Sequence, residues 1–181
     1  MAALDEAAEQ TGRCYLTGGA TAVLLGWRRT TIDVDLKLVP EQDAVLRAIP
    51  RLKDELQVNV ELAAPGDFIP LPAGWEERSL LAEQGGRLAF YHFDPYAQAL
   101  AKLERDHARD GDDVRALIRS GLVDPQQLRR YFGEIEPQLY RFPAIDPPAF
   151  RERVEQARTI EPDLGHGPEL STSTTRAVDP A

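Results

Sequence analysis

The chain has one cysteine, three histidines and three lysines in 181 residues. A lone Cys14 excludes an internal disulfide and a thiolate zinc cluster. Its place before the apolar pair Tyr15-Leu16 predicts a buried, structural thiol. His92, His107 and His166 are scattered without metal-ligand spacing, which argues against a zinc enzyme. No apolar stretch approaches the roughly 20 residues that span a bilayer, and the opening MAALDEAAEQ is too acidic and polar for a signal peptide. A cytoplasmic protein without a membrane segment is therefore expected. With only Lys37, Lys53 and Lys102 as lysines, nearly all positive charge is arginine. The net charge of -9 argues against broad adhesion to nucleic acid or anionic lipid, though not against a local basic groove.

What is present is ordinary in bulk and specific in one place. Hydrophobic residues at 43% and charged residues at 28% suit a globular chain of one domain, or of one small domain with an appendage. The chain is organised around residues 15–38, YLTGGATAVLLGWRRTTIDVDLKL. An apolar run at 15–17 leads into Gly18-Gly19, an apolar segment at 20–27, a basic-polar loop, and an alternating run at 32–36. That order reads as strand, glycine turn, helix, loop, strand. Strand side chains repeat every two residues, so Asp33 and Asp35 share one side while Ile32, Val34 and Leu36 face the other. Two like charges on one face raise each other's proton affinity unless a cation lies between them, and Mg²⁺ prefers carboxylate oxygens. Gly18 and Gly19 offer backbone that a ligand can approach closely, next to helix N–H groups able to receive phosphate. From the residues alone, a tight turn beside a solvated acidic strand face is the competing reading.

A Gly-Gly pair at a strand-to-helix turn, followed by Asp-x-Asp on a strand, resembles the signature of the nucleotidyltransferase superfamily of DNA polymerase beta. The wording GGATAVLLGWRRTTIDVDL is most similar to AbiEii-type toxin nucleotidyltransferases and a related uncharacterised bacterial group. The resemblance implies an α+β fold: a small mixed nucleotidyltransferase-type sheet flanked by helices, followed by a C-terminal helical region. It implies Mg²⁺ or Mn²⁺ at Asp33 and Asp35, a nucleoside triphosphate seated at Gly18 and Gly19, and phosphate contacts from Arg28 or Arg29 and Thr30 or Thr31. A third acid is expected on the strand at 57–62, where Asn59 and Glu61 share a face. Glu61 is the candidate and Asp67 the reserve.

Further along, a helix at 2–11 precedes the core, and another at 41–56 is expected to break or kink at Pro50. The Pro- and Gly-punctuated stretch 65–72 is a loop whose apolar members, with Trp75, should cover the core. Gly85-Gly86 marks a hairpin between strands at 79–81 and 88–93. Asp94-Pro95 opens a helix with Leu100 and Leu103 on its buried side. The run ALAKLERDHARDGDDVRAL carries Lys102, Arg105, Asp106, Arg109, Asp110 and Asp113, with Gly111 as a candidate break. Lys102 with Asp106 is spaced as an (i, i+4) ion pair. Arg105 with Arg109 would repel unless an anion lay between them. Taken alone, this run also fits a solvated helix laced with salt bridges. K-x-x-R-x-x-x-R-D-x-x-D resembles the later AbiEii-like motif, which implies functional roles for Lys102, Arg105, Asp110 and Asp113.

Helices starting near Asp124-Pro125 and at 150–158, with a proline-rich connector between them, should bury Tyr131, Phe132, Tyr140 and Phe142. The tail from residue 161 is expected to be disordered. The expected division is a nucleotidyltransferase-like core at 1–93, a helical region at 94–160 and the tail at 161–181. By resemblance, the activity is nucleotide transfer to an acceptor such as tRNA, in a toxin paired with an antitoxin protein. A protein side chain or an aminoglycoside-like molecule is the other acceptor considered. The contrasting reading is a catalytically inactive member of the fold that binds a nucleotide or a protein.

Overall fold

The computed structural model of the chain describes residues 1–161, so the tail expected to be disordered lies, from residue 162 onward, outside the described residues. The architecture is α+β, built on a five-stranded mixed sheet. Its strands are β1 (Gly12–Thr17), β2 (Asp33–Val39), β3 (Asn59–Glu61), β4 (Leu80–Gln84) and β5 (Leu88–His92), in spatial order β3-β2-β1-β5-β4. β1 runs antiparallel to β2 and parallel to β5. β3 is parallel to β2, and β4 antiparallel to β5. Cys14 through Thr17 are all buried, as a central strand covered on both faces requires.

Alternation along these strands separates two packing surfaces. Cys14, Leu16, Leu36, Leu38, Val60 and Phe90 pack against Leu4 of α1 (Ala2–Ala7) and against Val45, Ile49 and Leu52 of α3 (Asp43–Leu56). Burial pushes the Cys14 thiol up to about 12, so it stays an unreactive core group. On the opposite face Tyr15 meets Phe93, Ala97 and Trp75 of α4 (Trp75–Arg78), with Trp75 stacked on Phe93 at 4.5 Å. The loop's apolar members thus cover the core, with Phe68 left exposed. Thr17 is the register partner of Asp35, so the acids of β2 look toward this second face.

Among the described residues four α-helices follow the sheet: α5 (Pro95–Arg105), α6 (Asp110–Arg119), α7 (Pro125–Ile135) and α8 (Pro147–Ala157). Their shared core includes Leu100, Leu117, Ile118, Leu128, Phe132 and Phe150. The Asp94 carboxylate caps α5 at the N–H of Tyr96 and is also gripped by Arg78 Nε and Nη2, at 3.1 and 2.7 Å. Arg78 in turn lies 4.3 Å from the Tyr131 ring centroid, which ties the end of the sheet to α7.

Several boundaries differ from the sequence reading. The opening helix stops at Ala7, and Ile32 is 69% exposed because β2 starts only at Asp33. Pro50 does not break α3, which continues to Leu56 with Pro50 at an exposed position. Gly111 is not the break either. Asp106 turns left-handed (φ 52) and ends α5, and Gly111 sits inside the first turn of α6. Tyr140 is 82% exposed rather than part of the helical core.

A separate contact closes the N-terminus onto the hairpin at Gly85-Gly86. The Asp5 carboxylate accepts from the N–H groups of Gly86, Arg87 and Leu88 at 2.8, 2.8 and 2.7 Å. These bonds hold its pKa below the usual range. A depressed pKa contributes stability that is present above the unfolded value and is lost as pH falls through the folded one. Asp5→Asn should therefore lower the thermal midpoint at pH 7, with the gap to the parent protein closing as pH drops toward 3. A gap independent of pH would mean that charge plays no part in the contact.

Candidate functional site

The first turn of α2 (Gly18–Leu24) begins directly at the end of β1. Gly18 has φ +60, and a Cβ there would stand 2.6 Å from Asp35 Oδ2. The carboxylate of Asp35 is thus seated against bare backbone. A Cβ on Gly19 would collide with the hydroxyl of Thr31. That hydroxyl bonds both the carbonyl and the N–H of Asp33, at 3.0 and 3.2 Å, and so fixes the start of β2 beside the elbow. Gly18 and Gly19 are thus close-approach positions for the chain's own Asp35 and Thr31 side chains.

β3 adds to the same face, because Asp33 pairs with Asn59 and Asp35 with Glu61. The Asn59 amide donates to Asp33 Oδ1 at 3.3 Å and to Glu61 Oε1 at 2.8 Å. A neutral donor here lies between two carboxylates rather than adding a charge to them. Burial first, then Glu61 and Asp33, raise the pKa of Asp35, while Arg105 and Lys102 act against the rise. Asp67, the reserve acid, is committed elsewhere: its Oδ2 accepts from the N–H of Ala64 at 2.8 Å within the short 3₁₀ turn Pro65–Asp67. Among the described residues, no group of three or more His, Cys, Asp and Glu side chains is arranged to hold a metal ion by itself.

Facing the acids is a closed charge network. Lys102 Nζ donates to Asp113 Oδ2 at 2.6 Å and to Asp110 Oδ1 at 3.3 Å. Arg105 grips Asp110 with two bonds, at 2.9 and 2.7 Å, and the His107 N–H adds a third at 3.0 Å. Arg28 reaches across from the α2–β2 loop to Asp113 Oδ2 at 2.7 Å. Burial would push the Asp110 carboxyl up, but the Arg105 and Lys102 contacts bring it below its ordinary range. The (i, i+4) pairings expected from a single helix do not form. Asp106 lies 3.9 Å from Arg153 instead of meeting Lys102. Arg105 and Arg109 are on either side of the turn that separates α5 from α6, and Asp110 neutralises Arg105.

Two clefts flank these groups. The narrower, about 120 Å³, is lined by Gly18, Asp35, Glu61, Lys102 and Arg105, together with Phe68 and small apolar residues. The wider, about 610 Å³, holds Arg28, Arg29, Thr30, Asp33, Arg109 and Asp113 among its lining. The predicted residues are thus divided between two clefts, which the contact of Lys102 in the narrower with Asp113 in the wider joins.

One participant was missed in the sequence. Gln98 is buried, and its Oε1 accepts from the N–H of Gly18 and the hydroxyl of Thr17, both at 3.1 Å. Its Nε2 donates to the carbonyl of Phe93 at 2.7 Å. Gln98, Lys102 and Arg105 lie at i, i+4 and i+7 of α5, one helical stripe. A polar residue interrupting the buried, otherwise apolar run Ala97 to Leu100 is the signal that could have found it.

A family model described as a nucleotidyltransferase of unknown function (DUF6036) matches residues 1–143. No curated protein and no solved structure matches the chain.

Proposed function

The chain belongs to this family of nucleotidyltransferases of unknown function, and from that premise we propose that it is a metal-dependent enzyme moving a nucleotide from a nucleoside triphosphate to an acceptor. The observation that carries the reading is the seating of Asp35 against Gly18, with Asp33 and Glu61 close enough to raise its proton affinity. The donor set fits Mg²⁺ or Mn²⁺. Mg²⁺ is commonly bound through only one or two protein carboxylates, with water and substrate phosphates completing the shell. Asp33 and Asp35 would hold the cation, and Glu61 would support them through the field it adds. When bound, such a cation offsets charge on the transferring phosphoryl group and favours ionisation of the attacking hydroxyl.

The protein's own groups do the rest. In this reading the phosphate nearest the sugar lies at Asp35 and Gly18, and the tail passes over Gly19 toward Thr30 and Arg28. Lys102 and Arg105 supply positive charge on the other side of the elbow. Asp110 and Asp113 are positioning residues that fix these cations without touching substrate. The wide, open cleft beside Asp33 gives pyrophosphate a way out.

The finer assignment rests on the wording GGATAVLLGWRRTTIDVDL and on the Lys102-to-Asp113 spacing. By that likeness the acceptor is the end of a tRNA, and the protein is a cytoplasmic AbiEii-like toxin held in check by an antitoxin. A second reading, a non-catalytic binding module, is favoured by one specific feature: Lys102, Arg105 and Arg28 already have internal aspartate partners. Incubation with each labelled nucleoside triphosphate, Mg²⁺ or Mn²⁺ and total tRNA separates the two. Label incorporated by the parent protein and lost in Asp35→Asn supports transfer. Nucleotide binding without incorporation into tRNA, protein or small-molecule acceptors favours the module.

Gly18→Ala tests the elbow separately. A residue with a side chain at φ +60 costs about 1 kcal/mol, and its Cβ would displace the Asp35 carboxylate. Transfer should fall by roughly a hundredfold through misplacement, measured against a thermal melt that shows only the small stability loss. Activity falling only in proportion to the folded fraction would remove the elbow from the mechanism.

A further inference from the structure

The narrower cleft has walls of two chemistries. Gly18, Asp35, Lys102 and Arg105 make it polar where the elbow meets α5, while Ala63, Ala64, Pro65 and Phe68 form an apolar wall from the loop after β3. Phe68 is 51% exposed although the loop that carries it is firmly held. Its own N–H and that of Ile69 both donate to the carbonyl of Pro65, at 3.1 and 3.0 Å. Ile69 is fully buried, Pro65 is buried, and Asp67 ties the turn to the Ala64 N–H. A large ring on a braced turn, left half in water beside a charged cleft, keeps a hydration cost that a flat apolar group would relieve.

We propose that Phe68 is the platform on which the base of the donor nucleotide stacks, so that this cleft takes a purine nucleotide in preference to a pyrimidine one. The proposal rests on the nucleotidyl-transfer reading and adds to it the position of the base. A nucleotide joins an anionic end to a flat ring, and this cleft places a charged wall beside an exposed aromatic one. The apolar wall offers no free side-chain donor or acceptor: three of its residues are Ala63, Ala64 and Pro65, and the Asp67 carboxylate is engaged with the backbone. Recognition through ring area rather than base edges favours the larger purine and tolerates both adenine and guanine.

The test is calorimetric titration of the full chain with ATP, GTP, CTP and UTP in Mg²⁺, alongside inorganic tripolyphosphate, for the parent protein, Phe68→Ala and Phe68→Trp. Stacking predicts that Phe68→Ala weakens purine nucleotides on the order of tenfold and narrows the purine–pyrimidine gap. Phe68→Trp should retain both affinity and preference. Tripolyphosphate, which has no ring, should bind the parent and Phe68→Ala alike. Because Phe68 is half exposed, the alanine variant is expected to keep its thermal midpoint, and a melt verifies this. Unchanged nucleotide affinity in Phe68→Ala, equal loss of tripolyphosphate, or a pyrimidine preference would overturn the platform and leave the transfer reading standing. A parent protein that binds neither nucleotide nor tripolyphosphate would overturn both.

Discussion

Replacing Asp35 with asparagine is expected to abolish nucleotidyl transfer and, at the same time, to make the ligand-free protein more stable. The carboxyl of Asp35 is held above its ordinary pKa by burial and by the neighbouring Glu61 and Asp33. A group whose pKa is raised on folding contributes stability while protonated, below its unfolded value, and loses it as pH rises through the folded value. At pH 7 the ionised side chain therefore weakens the fold. Asparagine keeps the shape and removes the charge, so the thermal midpoint at pH 7 should rise by about 2 °C, a gap that shrinks toward pH 4. Transfer should fall at least about a hundredfold, the usual scale for losing one preorganised electrostatic group. Mg²⁺ with nucleotide should then stabilise the parent protein and not the variant. A variant less stable than the parent at pH 7 would show that Asp35 makes a structural contact instead of storing repulsion.

The largest stability effect should come from Lys102→Met. The side chains of Lys102, Asp110 and Asp113 are 10%, 3% and 2% exposed. Removing the lysine leaves Asp113 to Arg28 alone and strips one partner from Asp110. Breaking a buried ion pair from one side costs about 3 kcal/mol, which for a chain of this size lowers the midpoint by about 9 °C. Replacing the pair by apolar groups is a different operation. In the double variant Lys102→Met, Asp113→Leu, Asp110 still loses Lys102 but keeps its two-bond contact with Arg105, and Arg28 is freed at a partly exposed site. Most of the lost stability should return while transfer stays absent. Recovery of activity along with stability would remove Lys102 from the chemistry and leave it a structural role only.

The parts of this arrangement that were legible in the sequence are those set by local rules. Period-two alternation put Asp33 and Asp35 on one face, and the Gly-Gly pair marked the turn that the Asp35 carboxylate abuts. Asp94-Pro95 and Asp124-Pro125 each open a helix with the aspartate as its side-chain cap, whereas Asp146-Pro147, which reads as part of a rigid connector before a helix at 150–158, caps and opens α8 in the same way. What escaped depended on tertiary context. Helical spacing paired Lys102 with Asp106, but the left-handed turn at Asp106 swings Asp110 and Asp113 back onto Lys102 and Arg105. Gln98 read as one polar residue in an apolar helix, because its partners Thr17 and Gly18 are some 80 positions away in the chain. The proline and glycine punctuation of the loop at 65–72 reads as core cover, but that Phe68 alone among its large side chains is exposed at a cleft depends on how the loop folds back on Pro65.

In the proposed function Asp33, Asp35 and the Gly18-Gly19 elbow form a single seat for a divalent cation and a triphosphate. Crystals grown with Mn²⁺ and a non-hydrolysable nucleoside triphosphate test it directly through the anomalous signal of the metal. Mn²⁺ is expected within about 2.2 Å of oxygens from both Asp33 and Asp35, with phosphate oxygens completing its shell over Gly18 and Gly19. Mn²⁺ bound elsewhere, or a nucleotide whose phosphates lie away from the elbow, would contradict it.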